Sequence, residues 1–138
     1  MSVSLRIAIA VTAWVAFGAA ASASTISVKL SGAQEVPAVT TTASGTGEFT
    51  VNDDMSISGT VKTTGIKGIA AHIHEGAAGV NGGVAVPLTM KGENEWTVPD
   101  GAKLTGAQLQ ALKAGNLYVN VHSDAHKDGE IRGQLKED

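Results

Sequence analysis

Apolar and polar residues alternate along much of the chain from Thr25 onward, with the period of two that is typical of strands buried on one face. The alternation is clearest in residues 25–30 and 55–61. Short apolar or β-branched runs bounded by glycine, proline, asparagine or aspartate predict the other strands. These runs are residues 48–51, 69–74, 84–88, 95–98, 117–121 and 130–135. The runs at 48–51 and 55–61 are expected to form a hairpin.

One segment departs from this period and predicts a short helix over residues 104–114. Leu104, Leu109 and Leu112 lie near helical spacing, Thr105 is a candidate N-cap, and Gly115 follows the end. A capping residue before an apolar-periodic segment and a glycine after it are the usual start and stop signals of a helix.

About eight short strands and one short helix predict an all-β fold, an antiparallel, Greek-key-like β-sandwich or barrel. Residues 31–44, which include Pro37 and a threonine cluster, are expected to form a loop. The chain of 138 residues has no fixed-period repeat and no linker long enough to divide domains. We therefore expect one β domain after the N-terminal segment.

The N-terminal segment, residues 1–23, has the pattern of a secretory signal peptide. Arg6 precedes an apolar stretch over residues 7–21, and Ala21, Ser22 and Ala23 form a small-residue cleavage site. The alternative is a membrane anchor, because the stretch is near the lower length limit for a span. Its alanine content and the cleavage site favour the signal peptide. The domain would then occupy residues 24–138, with no span in the mature chain, and be periplasmic or secreted.

Cleavage after Ala23 predicts that the exported protein begins at Ser24. Mass spectrometry of the intact protein from the exported fraction should therefore give the mass of residues 24–138. A protein that keeps residues 1–23 and remains with membranes would instead support the anchor.

Composition excludes several classes of function. The formal charge is −3 and no lysine or arginine run is present, so the basic surface that nucleic acids or anionic membranes require is missing. The chain has no cysteine, which excludes disulfides, thiolate metal sites and cysteine nucleophiles. The four histidines are therefore the main candidates for binding a transition metal.

The histidines fall into two local clusters. His72 and His74 are two positions apart in a predicted strand, so both imidazoles are expected on one face of it. His122 ends another predicted strand, and His126 follows in a polar loop. If the two strand ends meet, three or four imidazoles converge. Nitrogen ligands without thiolates suit copper first and zinc second.

Carboxylates and an arginine accompany the histidines. Glu75 and Asp124 could ligate a metal or orient a histidine. Glu130 and Arg132 are expected on one face of the last strand, as a structural ion pair or backbone clamp rather than as a guide for anions. The histidines themselves could also serve only the fold, since a short H-x-H pattern is common by chance.

Four segments in order resemble the CHRD domain family. They are residues 30–37 (LSGAQEVP), 71–76 (AHIHEG), 117–123 (LYVNVHS) and 129–135 (GEIRGQL). The resemblance covers residues 25–135 and implies a β-sandwich-like domain. It puts His72 and His74 at the family's H-x-H positions and His122 at its N-V-H position, whereas His126 lies in a stretch that the family varies. The paired histidines also look like the copper strand of copper–zinc superoxide dismutases, without their cysteines or a separate zinc cluster.

The sequence thus predicts an exported CHRD-domain protein that binds a metal ion, most simply copper, through clustered histidines. Redox activity like that of superoxide dismutase is an extension of this prediction. The alternatives are a non-catalytic structural or protein-interaction module of the cell envelope, and a copper carrier or store. Whether the protein is an enzyme, and which protein it contacts, is left open by the sequence.

Overall fold

The structure is a computed structural model that describes residues 12–13 and 23–137. The predicted signal peptide lies outside the described residues except at positions 12, 13 and 23. The strands are β1 (Ser24–Ser31), β2 (Ser44–Val51), β3 (Ile57–Thr64), β4 (Gly68–Glu75), β5 (Val84–Pro87), β6 (Thr89–Gly92), β7 (Glu95–Thr97), β8 (Leu117–Ser123) and β9 (Ile131–Leu135). A 3-10 turn, Gly32–Gln34, follows β1, and helix α1 (Gly106–Lys113) precedes β8.

The nine strands form one antiparallel sheet in the order β5-β4-β8-β9-β1-β2-β3-β7-β6. Its two outermost strands, β5 and β6, are consecutive in the chain and are separated only by Leu88. The sheet therefore curls until its edges approach each other, which gives a nearly closed, barrel-like structure. The predicted all-β antiparallel class is confirmed, and Pro87 ends an edge strand, where a missing N–H is tolerated.

Helix α1 is confirmed with its predicted cap. The Thr105 hydroxyl accepts a hydrogen bond from the Gln108 N–H at 3.1 Å, and the Gln108 side chain accepts one from the Thr105 N–H at 2.9 Å. This reciprocal pair satisfies N–H groups that the first turn leaves free. Leu112 is buried, and Gly115 has a φ of 78°, a left-handed conformation that glycine adopts easily after a helix end.

Two strands differ from the prediction. Strand β2 begins at Ser44, four residues earlier than predicted, because Gly45 and Gly47 hide the alternation in the sequence while occupying its buried positions. A side chain at Gly47 would come within 2.9 Å of Val28, so the strands pack closely there. Strand β6 was not predicted, since all four of its residues are exposed and leave no pattern of burial.

Strand β8 is buried along its whole length. Leu117, Val119 and Val121 face the apolar core. The residues between them face outward, yet three segments of chain cover them: residues 32–43, 76–83 and 124–130, here called the covering loops. The outward side chains on this part of the sheet form the outer polar layer, which consists of His72, His74, Tyr118, Asn120, His122, Arg132 and Gln134.

No helix within the described part of the chain is long and apolar enough to cross a membrane.

Substitution of Ile73 by alanine tests which face of β4 is the core. Ile73 is fully buried and pairs with Val119 on β8 and Val86 on β5. We expect Ile73→Ala to lower the free energy of unfolding by about 2–5 kcal/mol, because it removes buried methyl groups and leaves a cavity. Ile69→Ala is the matched control, since Ile69 lies on the same strand and is 45% exposed. Equal losses in urea unfolding would contradict this assignment.

Candidate metal centre

The register between β4 and β8 brings three of the four histidines together. His72 lies opposite Asn120, and His74 lies opposite Tyr118. His122 lies opposite Ala70, one step beyond His72 along the same face. Because directly opposed residues of antiparallel strands point to the same side, the three imidazoles project together into the outer polar layer.

The geometry of the three rings is that of a potential ligand set. His72, His74 and His122 each offer one nitrogen, and these nitrogens lie within 4.8 Å of one another. The shortest separation, between His72 Nδ1 and His122 Nε2, is 3.0 Å. Two nitrogens bound to one ion at about 2.0–2.1 Å lie roughly 3–4 Å apart. Small side-chain movements, together with transfer of the His72 proton from Nδ1 to Nε2, would therefore bring all three into one coordination sphere.

Two backbone carbonyls fix the tautomers of two of these histidines. His74 Nδ1 donates to the Gly82 carbonyl at 3.0 Å, and His122 Nδ1 donates to the Lys127 carbonyl at 2.8 Å. A carbonyl oxygen only accepts, so each Nδ1 carries the proton and each Nε2 is an acceptor. The Nε2 of His74 has no partner among the described residues, whereas the Nε2 of His122 accepts from His72 Nδ1 at 3.0 Å. A metal-binding histidine commonly has its other nitrogen held in this way.

Close approach of the 76–83 loop to β4 makes the Gly82 carbonyl available. A side chain at Gly82 would overlap the backbone carbonyl of Glu75, so glycine is needed at this position. The Tyr118 hydroxyl accepts a hydrogen bond from the Gly82 N–H at 3.0 Å and so holds the loop against β8. The tautomer of His74 thus depends on a glycine that lies outside the strands.

Burial keeps the histidines in the form that binds metals. The pKa of His72 is lowered by burial and then by the neighbouring His122 and His74. Burial is also the main cause that lowers the pKa of His74, with smaller effects of the same sign from His122 and Arg132. The Gly82 carbonyl and Asn120 oppose that shift. Near neutral pH these imidazoles are uncharged and their lone pairs are free for a cation.

The guanidinium group of Arg132 contacts other groups of the protein beside the histidines and is not directed at solvent. Its guanidinium lies 3.4 Å from the centroid of the Tyr118 ring, and the same ring stacks on His74 with centroids 4.9 Å apart. Nη2 of Arg132 donates to the carbonyls of Ala77 and Val80 at 3.0 and 2.9 Å. The predicted backbone clamp is therefore what the structure contains. Glu130 accepts hydrogen bonds from Thr41 and Ser123, not from Arg132.

Glu35 is a buried carboxyl in the covering loop that follows β1. Only 6% of this residue is exposed, and its Oε1 has no hydrogen-bond partner among the described residues. Burial raises its pKa to about 7, while the charge of Arg132 and the side chain of Asn120 act in the opposite direction. The group is therefore close to half protonated near neutral pH.

The remaining predicted residues lie apart from the cluster. His126 is in the 124–130 covering loop and does not belong to the group of nitrogens within 4.8 Å. Glu75 and Asp124 are exposed, and the histidines are oriented by backbone carbonyls instead. Sequence reasoning assigned no role to Glu35, Asn120 or Tyr118. Glu35 lies in a polar loop without a period, whereas the outward positions of the other two follow from the same alternation that places His122.

An antiparallel barrel-like sheet that carries a histidine cluster under covering loops defines a small β domain with a candidate metal centre. The model of the CHRD domain matches residues 26–135, most of the chain. The chain therefore belongs to the CHRD domain family.

Comparison with curated proteins and with solved structures finds no match to this chain.

Glu35→Gln should change how stability depends on pH. The folded protein binds the Glu35 proton more tightly than the unfolded chain, whose pKa is near 4.5. The contribution of Glu35 is therefore fully present below pH 4.5 and is lost as pH rises through about 7. Glutamine stays neutral, so we expect the stability of the variant relative to wild type to rise across this window. The expected rise is on the order of 1–2 kcal/mol, since solvent screening reduces the full linkage value.

Urea unfolding of metal-free protein at intervals from pH 4.5 to 8 measures this difference. Glu75→Gln is the matched control, because Glu75 is an exposed carboxylate near the same site. The burial of Glu35 would be contradicted if both variants followed the wild-type profile.

Proposed function

We propose that this CHRD-domain protein is exported and binds one metal ion, copper first and zinc second, through His72, His74 and His122. The observation that carries the proposal is the convergence of three nitrogens within 4.8 Å. Two backbone carbonyls support it further, since they take the Nδ1 protons of His74 and His122 and leave each Nε2 unprotonated, with a lone pair that a metal can use.

The donor set supports these metals by its chemistry. Neutral imidazole binds copper and zinc well, and the general affinity order of divalent ions ranks copper above zinc. Calcium and magnesium prefer oxygen ligands and are poorly served by three imidazoles. His126 as an additional ligand remains a prediction, since its ring nitrogens lie outside the group that lies within 4.8 Å.

Three protein ligands leave room for another group on the ion. His72 is more exposed than His74 and His122, so the approach from solvent is on its side. An accessible copper ion supports two extensions, transfer of the metal to a partner and redox turnover such as superoxide dismutation. Transfer is tested with an acceptor apoprotein, and turnover requires the loaded protein to exceed free copper.

A specific contact favours the alternative of a structural or protein-interaction module. His72 and His122 are within hydrogen-bond distance, at 3.0 Å, and satisfy each other without any metal. In this role the pair would tie β4 to β8. The two functions predict different responses of the protein to metal, and one pair of variants separates them.

Titration calorimetry with Cu(II) and Zn(II) on the mature protein tests the metal site. Wild type should bind one equivalent, and His72→Ala/His74→Ala should bind on the order of 100-fold more weakly, because two of three donors are lost. Metal should also raise the melting temperature of wild type and not that of the double variant. His126→Ala is the matched control, a histidine outside the cluster, and should bind like wild type.

The outcomes divide the candidates clearly. Equal weak uptake by wild type and the double variant would refute the site. A double variant that is less stable while neither protein responds to metal would establish the structural role. Weaker binding by His126→Ala would add the fourth histidine to the ligand set.

A further inference from the structure

Asn120 lies at the centre of the histidine cluster. It is directly opposite His72 across the strands, and it is two positions before His122 on the same face of β8. His74 is its diagonal neighbour, close enough for Asn120 to act on the pKa of that imidazole. All three proposed ligands therefore surround one amide side chain.

The amide oxygen of Asn120 is buried without a partner. The residue is 2% exposed, and its Oδ1 accepts no hydrogen bond from any described residue. The Nε2 atom of the neighbouring His74 is buried and unpartnered as well. Buried acceptors without a donor are uncommon in native structures, and here two of them belong to residues that are diagonal neighbours across β4 and β8.

The amide nitrogen of Asn120 lies near other groups of the protein. Asn120 Nδ2 is 3.5 Å from the Asp128 carbonyl. A side chain at Gly129 would lie 2.6 Å from this Nδ2 and 2.5 Å from Glu35 Oε1, so the amide nitrogen and the Glu35 carboxyl share one corner. Nδ2 of Asn120 therefore faces the covering loops, and its Oδ1 faces the histidines.

No described residue donates a hydrogen bond to either of the two acceptors. The proton of His74 is on Nδ1, held by the Gly82 carbonyl, and the amide protons of Asn120 are on the opposite end. A cation satisfies both lone pairs at once. A nitrogen and an oxygen that bind the same ion at about 2 Å lie roughly 3 Å from each other.

We propose that Asn120 Oδ1 is a fourth donor to the metal ion held by His72, His74 and His122. This inference rests on the proposed metal site and extends it from three nitrogens to three nitrogens and one oxygen. Glu35 acts as a positioning residue, since its carboxyl adjoins the amide nitrogen and helps to keep the oxygen turned inward. A neutral oxygen donor favours Cu(II) and Zn(II) over Cu(I), which prefers softer ligands.

Substitutions at Asn120 test the fourth donor. Asn120→Ala should weaken binding of Cu(II) and Zn(II) by about 10–100-fold, and Asn120→Asp, which keeps an oxygen at the same place, should recover most of the affinity. The electron paramagnetic resonance spectrum of the Cu(II) form should change in Asn120→Ala, because an oxygen ligand is lost. Each protein is measured with added Cu(II) or Zn(II) as the only probe.

Gln134→Ala is the matched control for damage to the outer polar layer. Gln134 is an amide on the neighbouring strand β9, and its Nε2 donates to the carbonyls of Gly76 and Gly115 at 2.8 and 2.7 Å. Its loss should lower stability and leave the Cu(II) spectrum unchanged. A purely structural role for Asn120 predicts the same behaviour for both variants and would overturn the inference.

A measurement on wild type covers the case in which Asn120→Ala does not fold. Titration of isotope-labelled protein with diamagnetic Zn(II) should shift the Asn120 side-chain carbonyl carbon strongly and that of Gln134 little. Zinc binding with no shift at Asn120 would overturn the fourth donor and leave the three-histidine site standing. No zinc or copper binding by wild type would overturn both proposals.

Discussion

Burial of β8 on both faces is the constraint on which the rest of the structure depends. The inner face is apolar and joins the core, but the outer face carries Tyr118, Asn120 and His122, which must find partners where water is excluded. The covering loops supply these partners largely as backbone carbonyls. Arg132 contributes most to holding one loop in place, since its guanidinium donates to two carbonyls of residues 76–83 and lies on the Tyr118 ring.

The same exclusion of water sets the chemistry of the candidate site. Removal of solvent disfavours the charged form of any ionisable group, so it lowers the pKa of His72 and His74 and raises that of Glu35. Neutral imidazoles and a neutral carboxyl can coexist in one buried layer beside the charge of Arg132. A cation that entered this layer would meet the Nε2 atoms of His74 and His122 without protons, because two carbonyls hold the Nδ1 protons of these residues.

Much of the fold follows from local signals in the sequence, and the site follows only in part. The period of two separates Ala71 and Ile73 from His72 and His74, and it assigns each pair to a face. It does not say that β4 lies beside β8, which is separated from it by more than forty residues along the chain. That adjacency is set by long-range pairing of the two strands, so the sequence predicts the convergence of His122 with the first two histidines only if those strands are neighbours.

The backbone groups that hold the histidines cannot be identified from the amino-acid sequence. The predicted companions of the histidines were carboxylates, Glu75 and Asp124, because side-chain chemistry is visible in a sequence. The actual companions are the carbonyls of Gly82 and Lys127, whose positions depend on the path of two loops. The role of Glu35 was hidden for the same reason, since a polar residue in a loop is usually exposed, and only the packing of the 32–43 segment buries it.

The outer polar layer is satisfied unevenly, and this distinguishes its two possible uses. A layer that served only to join strands and loops would be expected to pair its buried acceptors with donors, as His72 pairs with His122 and as Gln134 pairs with two carbonyls. The acceptors of this layer without donors are instead His74 Nε2 and Asn120 Oδ1, and Glu35 Oε1 in the adjoining covering loop is unpaired as well. An unpaired acceptor is costly where the local dielectric is low, and this cost is what favours the proposed cation-binding use of the layer over a purely structural one.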